Sequence, residues 1–101
     1  MRIGIVGGLD RSEQSYERLA RDHGHEVEYH DGDMRGTASA ALAGLVERAD
    51  LVVIVTDINS HNAVRQTRKL LRARPRPSLL VRRLGQARFV ALLQSSASAY
   101  Y

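Results

Sequence analysis

Two short runs of the chain are dominated by β-branched residues, RIGIV at 2–6 and LVVIV at 51–55. Runs of this length predict strands, and the second, apolar throughout, predicts one covered on both faces. EVEYH at 26–30 alternates instead, with Val27 and Tyr29 on one face and Glu26, Glu28 and His30 on the other. That is the pattern of a half-exposed edge strand. RFVALL at 88–93 is the fourth strand expected.

The segments between these runs carry the helical period. Ser12 is placed to cap a helix running to about Asp22, with Tyr16, Leu19 and Ala20 at i, i+3 and i+4 and Gly24 just past its end. TASAALAGLVER at 37–48 predicts an Ala-rich second helix that buries Leu42, Leu45 and Val46. A third starts at Asn59 or Ser60 and runs to about Ala73, with Val64, Thr67, Leu70 and Leu71 inward and a ridge of Arg65, Arg68, Lys69 and Arg72 outward. Pro75 and Pro77 end it, since each lacks an N–H and restricts the residue before it. SLLVRRLGQA at 78–87 predicts a short fourth helix, and SSASAYY at 95–101 reads as a mobile tail, a loop or a docking segment.

This order predicts a single α/β domain over residues 1–101, a small three-layer sandwich around a parallel four-stranded sheet, because parallel strands need crossover connections. With the edge strand beside the first, the expected strand order is 2-1-3-4, a Rossmann-like or flavodoxin-like arrangement. The chain then reverses direction between strands one and three, and open α/β sheets bind ligands beyond the carboxyl ends at such a switch point. Three polar loops are expected there: GGLDRS at 7–12, HDGD at 30–33 and DINSH at 57–61.

Composition narrows the chemistry. The 101 residues are 44% hydrophobic and contain no cysteine, which excludes disulfides, thiolate chemistry and Cys-based metal centres. The apolar run near the amino end is too short for a signal peptide, and none approaches the roughly 20 residues of a membrane span. A cytoplasmic protein without a membrane partner is expected. Charge is divided sharply: residues 1–57 hold 11 acidic and 6 basic side chains, net −5, whereas 58–101 hold 9 basic and none acidic, net +9. Such asymmetry predicts a surface that attracts phosphates or nucleic acid, or meets the acidic part of a second copy in a homodimer.

Each loop admits a chemical and a conformational reading. Gly7 and Gly8 allow close backbone approach to an anion at a helix N-terminus, or make only a tight turn; neither G-x-G-x-x-G nor a Walker pattern is present, and Asp10 opposes an anion nearby. His30 and Asp31 offer a titratable pair, although Asp31-Gly32 is also ordinary turn chemistry. Asp57 ends the buried strand, where a carboxylate must be paired. Ser60 can cap the third helix, and the positive helix end disfavours a charged His61. Next to Asp57, His61 would serve as donor or base, while Asp57 equally fits the part of a cap or a loop ligand.

A metal site is expected only from His30, Asp57 and His61, because His23 and His25 enter the second strand at its amino end, about 16 Å away. Haem ligation by His remains open in principle, without a broad apolar pocket to enclose it; no cofactor is assigned. Ser60 and His61, adjacent on a helix, point about 100° apart and make no triad. With 5% aromatic residues, nucleic acid would be held through its backbone by the ridge of Arg65, Arg68, Lys69 and Arg72, with Arg74, Arg76, Arg82 and Arg83 beyond it.

The spacing of VGG (6–8), Tyr16, YHDGD (29–33) and ADLVVIVTDINSHNAVRQTRK (49–69) resembles a family of small bacterial proteins catalogued as domain of unknown function 2325. The match covers roughly residues 1–70, and VALLQSSASAYY at 90–101 resembles the family's terminal segment after an additional Pro- and Arg-rich stretch. The resemblance implies an α/β sandwich and a site built from Gly7, Gly8, Tyr16, His30, Asp31, Asp57, Ser60 and His61. It implies no activity.

Three functions follow as expectations. The first is a regulatory domain that binds a small anionic or nucleotide-like ligand at the carboxyl edge of the sheet. The second is an adaptor for nucleic acid or an acidic partner, acting through the basic ridge. The third is a small enzyme with a His general base or a His/Asp metal site.

Overall fold

Leu51–Val55 is buried at every position because it forms the central strand β3, flanked on both sides and covered on both faces. The computed structural model describes residues 1–8, 13–57 and 59–99, and the side chains among them except those of 13 and 95–99. In chain order the elements are β1 (Arg2–Val6), α1 (Glu13–Asp22), β2 (Glu26–His30), α2 (Ala38–Arg48), β3, α3 (His61–Ala73), β4 (Ser78–Val81) and α4 (Gln86–Ala99). The strands form one parallel sheet in the order β2-β1-β3-β4, as the alternation of apolar runs and helices requires.

Strand periodicity divides the core into two layers. Ile3, Ile5, Val53, Val55 and Val81 face α1 and α4, where Tyr16, Ala20, Phe89 and Leu93 meet them. Val6, Val52 and Ile54 face α2 and α3, against Leu42, Leu45, Val46 and Ala63. No helix among the described residues is long and apolar enough to cross a membrane.

The last two elements exchange roles relative to the sequence expectation. SLLV, expected in a helix, is the strand β4; RFVALL, expected as a strand, lies inside α4. Pro75 and Pro77 hold the chain extended, so the ladder begins at once: the Val52 N–H donates to the Pro77 carbonyl at 3.0 Å. In the other segment Phe89 and Leu93, both fully buried, stand at i and i+4 and bury one helical face against α1. The Phe89 ring meets Tyr16 edge-on at 5.1 Å. α4 also takes in residues 95–99, part of the segment read as a tail; Tyr100 and Tyr101 lie outside the described residues, as does the expected cap Ser12.

The Arg/Pro-rich stretch has a structural task. α2 ends with open carbonyls, and the Arg76 guanidinium donates to those of Val46, of Glu47 at 2.6 Å and of Ala49 at 3.3 Å. Arg74 pairs with Glu47 at 2.8 Å.

Candidate functional site

The switch point between β1 and β3 is occupied by a side chain. Asn59 extends its amide into the gap, donating to the carbonyls of Val55 at 2.8 Å and Val6 at 3.3 Å, and its Oδ1 accepts from the Ser60 N–H at 2.8 Å. Two glycines make room for it. A Cβ on Gly7, whose φ is +96°, would stand 2.6 Å from both Asn59 Nδ2 and the Val55 oxygen, and a Cβ on Gly32, at φ +89°, would collide with Asn59 Oδ1. Gly7 in turn donates its N–H to the His30 carbonyl at 2.7 Å. Among the described residues, then, Gly7 faces Asn59. Gly8 has φ +97°, with the Tyr29 hydroxyl 3.4 Å from where a Cβ would stand, and residues 9–12 of the first loop lie outside the described residues.

His30 is buried, and both ring nitrogens are engaged. Nδ1 accepts from the Gly32 N–H at 3.0 Å, which leaves Nε2 to donate to the Ala38 carbonyl at 3.1 Å. The ring thus ties the end of β2 to the start of α2. Asp31 accepts from the Asp33 N–H at 2.8 Å in a side-chain-stabilised turn. Asp33 is gripped by Arg35, whose side-chain hydrogen bonds hold the carboxyl down at about 2. Tyr16 sits in the α1/α4 layer and donates its hydroxyl to the Leu84 carbonyl.

The DINSH loop leads elsewhere. Ser60 caps α3, its Oγ accepting from the Ala63 N–H at 3.0 Å and donating to the Gly32 carbonyl at 2.7 Å. Asp57, 24% exposed at its side chain, accepts from Arg83 Nε at 2.8 Å and Arg82 Nε at 3.5 Å. The Arg83 hydrogen bond, aided by the charge of Arg82, holds the Asp57 carboxyl below its ordinary value. The carboxylate therefore braces the end of β4, whose Val81 and Arg82 carbonyls accept from the N–H groups of Thr56 and Asp57 at 2.8 and 3.0 Å.

From this loop an open groove of about 760 Å³ runs along α3, lined by Thr56, Asp57, Asn59, Ser60, His61 and Val64 at one end and by Arg65, Arg68 and Arg72 along its length. A second cavity of about 320 Å³ continues it between α3 and β4, sharing Arg68 and Arg72 and adding Ile54, Leu71, Ser78, Leu79 and Leu80. No ion pair reaches Arg65, Arg68, Lys69 or Arg72 among the described residues. The first turn of α3 carries no acidic residue, and the Asp57 carboxylate at the same end of the groove is offset by its ion pairs with Arg82 and Arg83.

The structure thus brings Asp57, Ser60 and His61 together with three cations of the ridge in one groove, whose lining does not include Tyr16, His30 or Asp31. No cluster of three His, Asp or Glu side chains able to hold a metal forms among the described residues, so His30, Asp57 and His61 do not converge. His23 and His25 are tied locally, His23 to the Leu19 carbonyl and His25 to the Met1 amino group, both at 2.9 Å. Sequence reasoning misses Asn59 as the plug of the switch point, although its place in a cluster of polar residues after a buried strand is a signal. It also misses the contribution of Leu80, which depends on β4 being a strand.

A family model described as "Uncharacterized protein conserved in bacteria (DUF2325)" matches residues 2–96. The chain is also similar to UPF0751 proteins from two strains of Desulfitobacterium hafniense, DSM 10664 / DCB-2 and Y51. Each is 29% identical over 86 residues, a stretch covering 84% of either chain.

Proposed function

The chain belongs to the DUF2325 family of bacterial proteins, and we propose that it binds a small phosphate-bearing ligand, without turnover, in the groove along α3. One observation carries the reading: Arg65, Arg68 and Arg72 line a single groove of about 760 Å³ and none has a carboxylate partner among the described residues. Arg2, Arg35, Arg48, Arg74, Arg82 and Arg83 are each matched to one. Guanidinium groups suit phosphate oxygens because they donate in a planar fork, and the first-turn N–H groups of α3 other than that of Ala63, which Ser60 caps, add donors at the mouth of the groove.

Binding is favoured over catalysis because Asp57 is held by Arg83 and Arg82, which leaves His61 without a carboxylate among the described residues to orient it as a base. In this reading the domain is a cytoplasmic regulatory module. Its homodimer would set the acidic part of one chain against the basic part of another.

The test is a titration with inorganic pyrophosphate followed by backbone amide NMR. Shifts centred on His61, Asn62 and Ala63, lost in the Arg65→Ala/Arg68→Ala double variant, support the groove; an unperturbed spectrum removes it. A second reading, an adaptor for nucleic acid, is favoured by Lys69, which extends the cationic stripe along α3 outside the groove. It differs in predicting affinity for oligonucleotides that falls with salt by about one unit of logarithmic slope per phosphate contact.

A further inference from the structure

We infer that the ligand is a nucleoside phosphate, its phosphates along Arg65 and Arg68 and its base in the second cavity, between α3 and β4; this rests on the groove reading above. The two cavities share Arg68 and Arg72 and form one trough. Their linings differ. The first is polar and cationic, whereas Ile54, Leu71 and Leu80 give the second an apolar floor that a bare phosphate chain cannot use. A ligand spanning both is charged at one end and apolar at the other.

Two features select a flat heterocycle over an acyl chain. Arg68 and Arg72 line both cavities, and guanidinium groups stack on aromatic faces. In addition, β4 is an edge strand with unused main-chain groups. Its ladder to β3 uses the carbonyls of Pro77 at 3.0 Å and Val81 at 2.8 Å. Because alternate residues of a parallel strand face the partner, the N–H and C=O groups of Ser78 and Leu80 turn to the open edge, beside the cavity they line. A base presents in-plane donors and acceptors to such groups, and an acyl chain presents none.

Two further observations agree. Leu80, 52% exposed, is a large apolar side chain left uncovered at this rim, and a bound base would shield it. The span from Arg65 to Arg72 along α3 is about 10 Å, the scale of one nucleotide rather than of a polymer.

The experiment compares ADP with inorganic pyrophosphate by calorimetry on the full chain and on Leu80→Asn, an exposed position whose change should leave the circular dichroism spectrum intact. The expected result is ADP binding tighter than pyrophosphate by on the order of tenfold, with Leu80→Asn lowering ADP to the pyrophosphate level and leaving pyrophosphate unchanged. Equal affinity for the two, or an ADP preference untouched by Leu80→Asn, overturns the base site while the anion groove stands. Binding of neither removes both. Binding of a single-stranded oligonucleotide with no binding of ADP overturns the mononucleotide and assigns the trough to nucleic acid.

Discussion

The amide of Asn59 donates to the carbonyl of Val55, four residues earlier, at 2.8 Å, and so fills the gap where a doubly wound sheet ordinarily opens to its ligand. With the Val6 carbonyl as second acceptor, one side chain satisfies the main-chain ends of two central strands. Asn59→Ala leaves those carbonyls and the Ser60 N–H without this partner. The variant is expected to lose about 1–3 kcal/mol of stability, read as a lower urea midpoint at unchanged slope.

Phe89→Ala tests the corrected assignment of α4. The ring is fully buried between α1 and the sheet, and its truncation should cost about 3–5 kcal/mol. Ala91→Gln, at a position exposed in the helix but turned to the Phe89 side in a strand, should change stability by less than about 0.5 kcal/mol. Equal effects in the two variants would contradict the helical register.

These two sites show how far the sequence is legible. β1, β2 and β3 are readable because each is a contiguous run whose period matches its burial, and the strand order follows from the crossovers. β4 is not, since four residues with two exposed leucines followed by arginines carry no strand period of their own; only pairing with β3 makes SLLV a strand. FVALL is apolar enough to imitate a buried strand, and only the packing of Phe89 and Leu93 on one side distinguishes a helix. Of the site, the DINSH loop is legible. The role of Gly7 and Gly32 is hidden because the group they accommodate, Asn59, is distant in sequence, and the second cavity is hidden because it needs β4 beside α3.

Removing the guanidinium of Arg76 should loosen α2. Its hydrogen bonds to the carbonyls that end the helix act as a C-terminal cap, and Arg76→Ala is expected to cost about 0.5–1.5 kcal/mol. Hydrogen exchange should accelerate in the last turn of α2 more than in α3. Uniform acceleration would deny the cap.

Asp57 makes the bracing of β4 pH-dependent. Its folded carboxyl lies below the ordinary value of 3.8, chiefly through the Arg83 hydrogen bond. As pH falls, the unfolded chain takes up this proton first, so the contribution is complete above about 3.8 and is lost as pH drops through the lower folded value. Denaturation curves of the native chain and Asp57→Asn should therefore differ most at neutral pH and converge in acid. A constant difference at every pH would exclude the linkage.

The central claim, that Arg65, Arg68 and Arg72 of α3, which have no ion pair among the described residues, hold a phosphate-bearing ligand, is tested most directly by native mass spectrometry of the protein purified from its own host, with phosphorus analysis of whatever denaturation releases. The account predicts a bound small molecule that contains phosphorus and is absent from the Arg65→Ala/Arg68→Ala variant. A clean ligand-free mass that added ADP and pyrophosphate leave unchanged would contradict it.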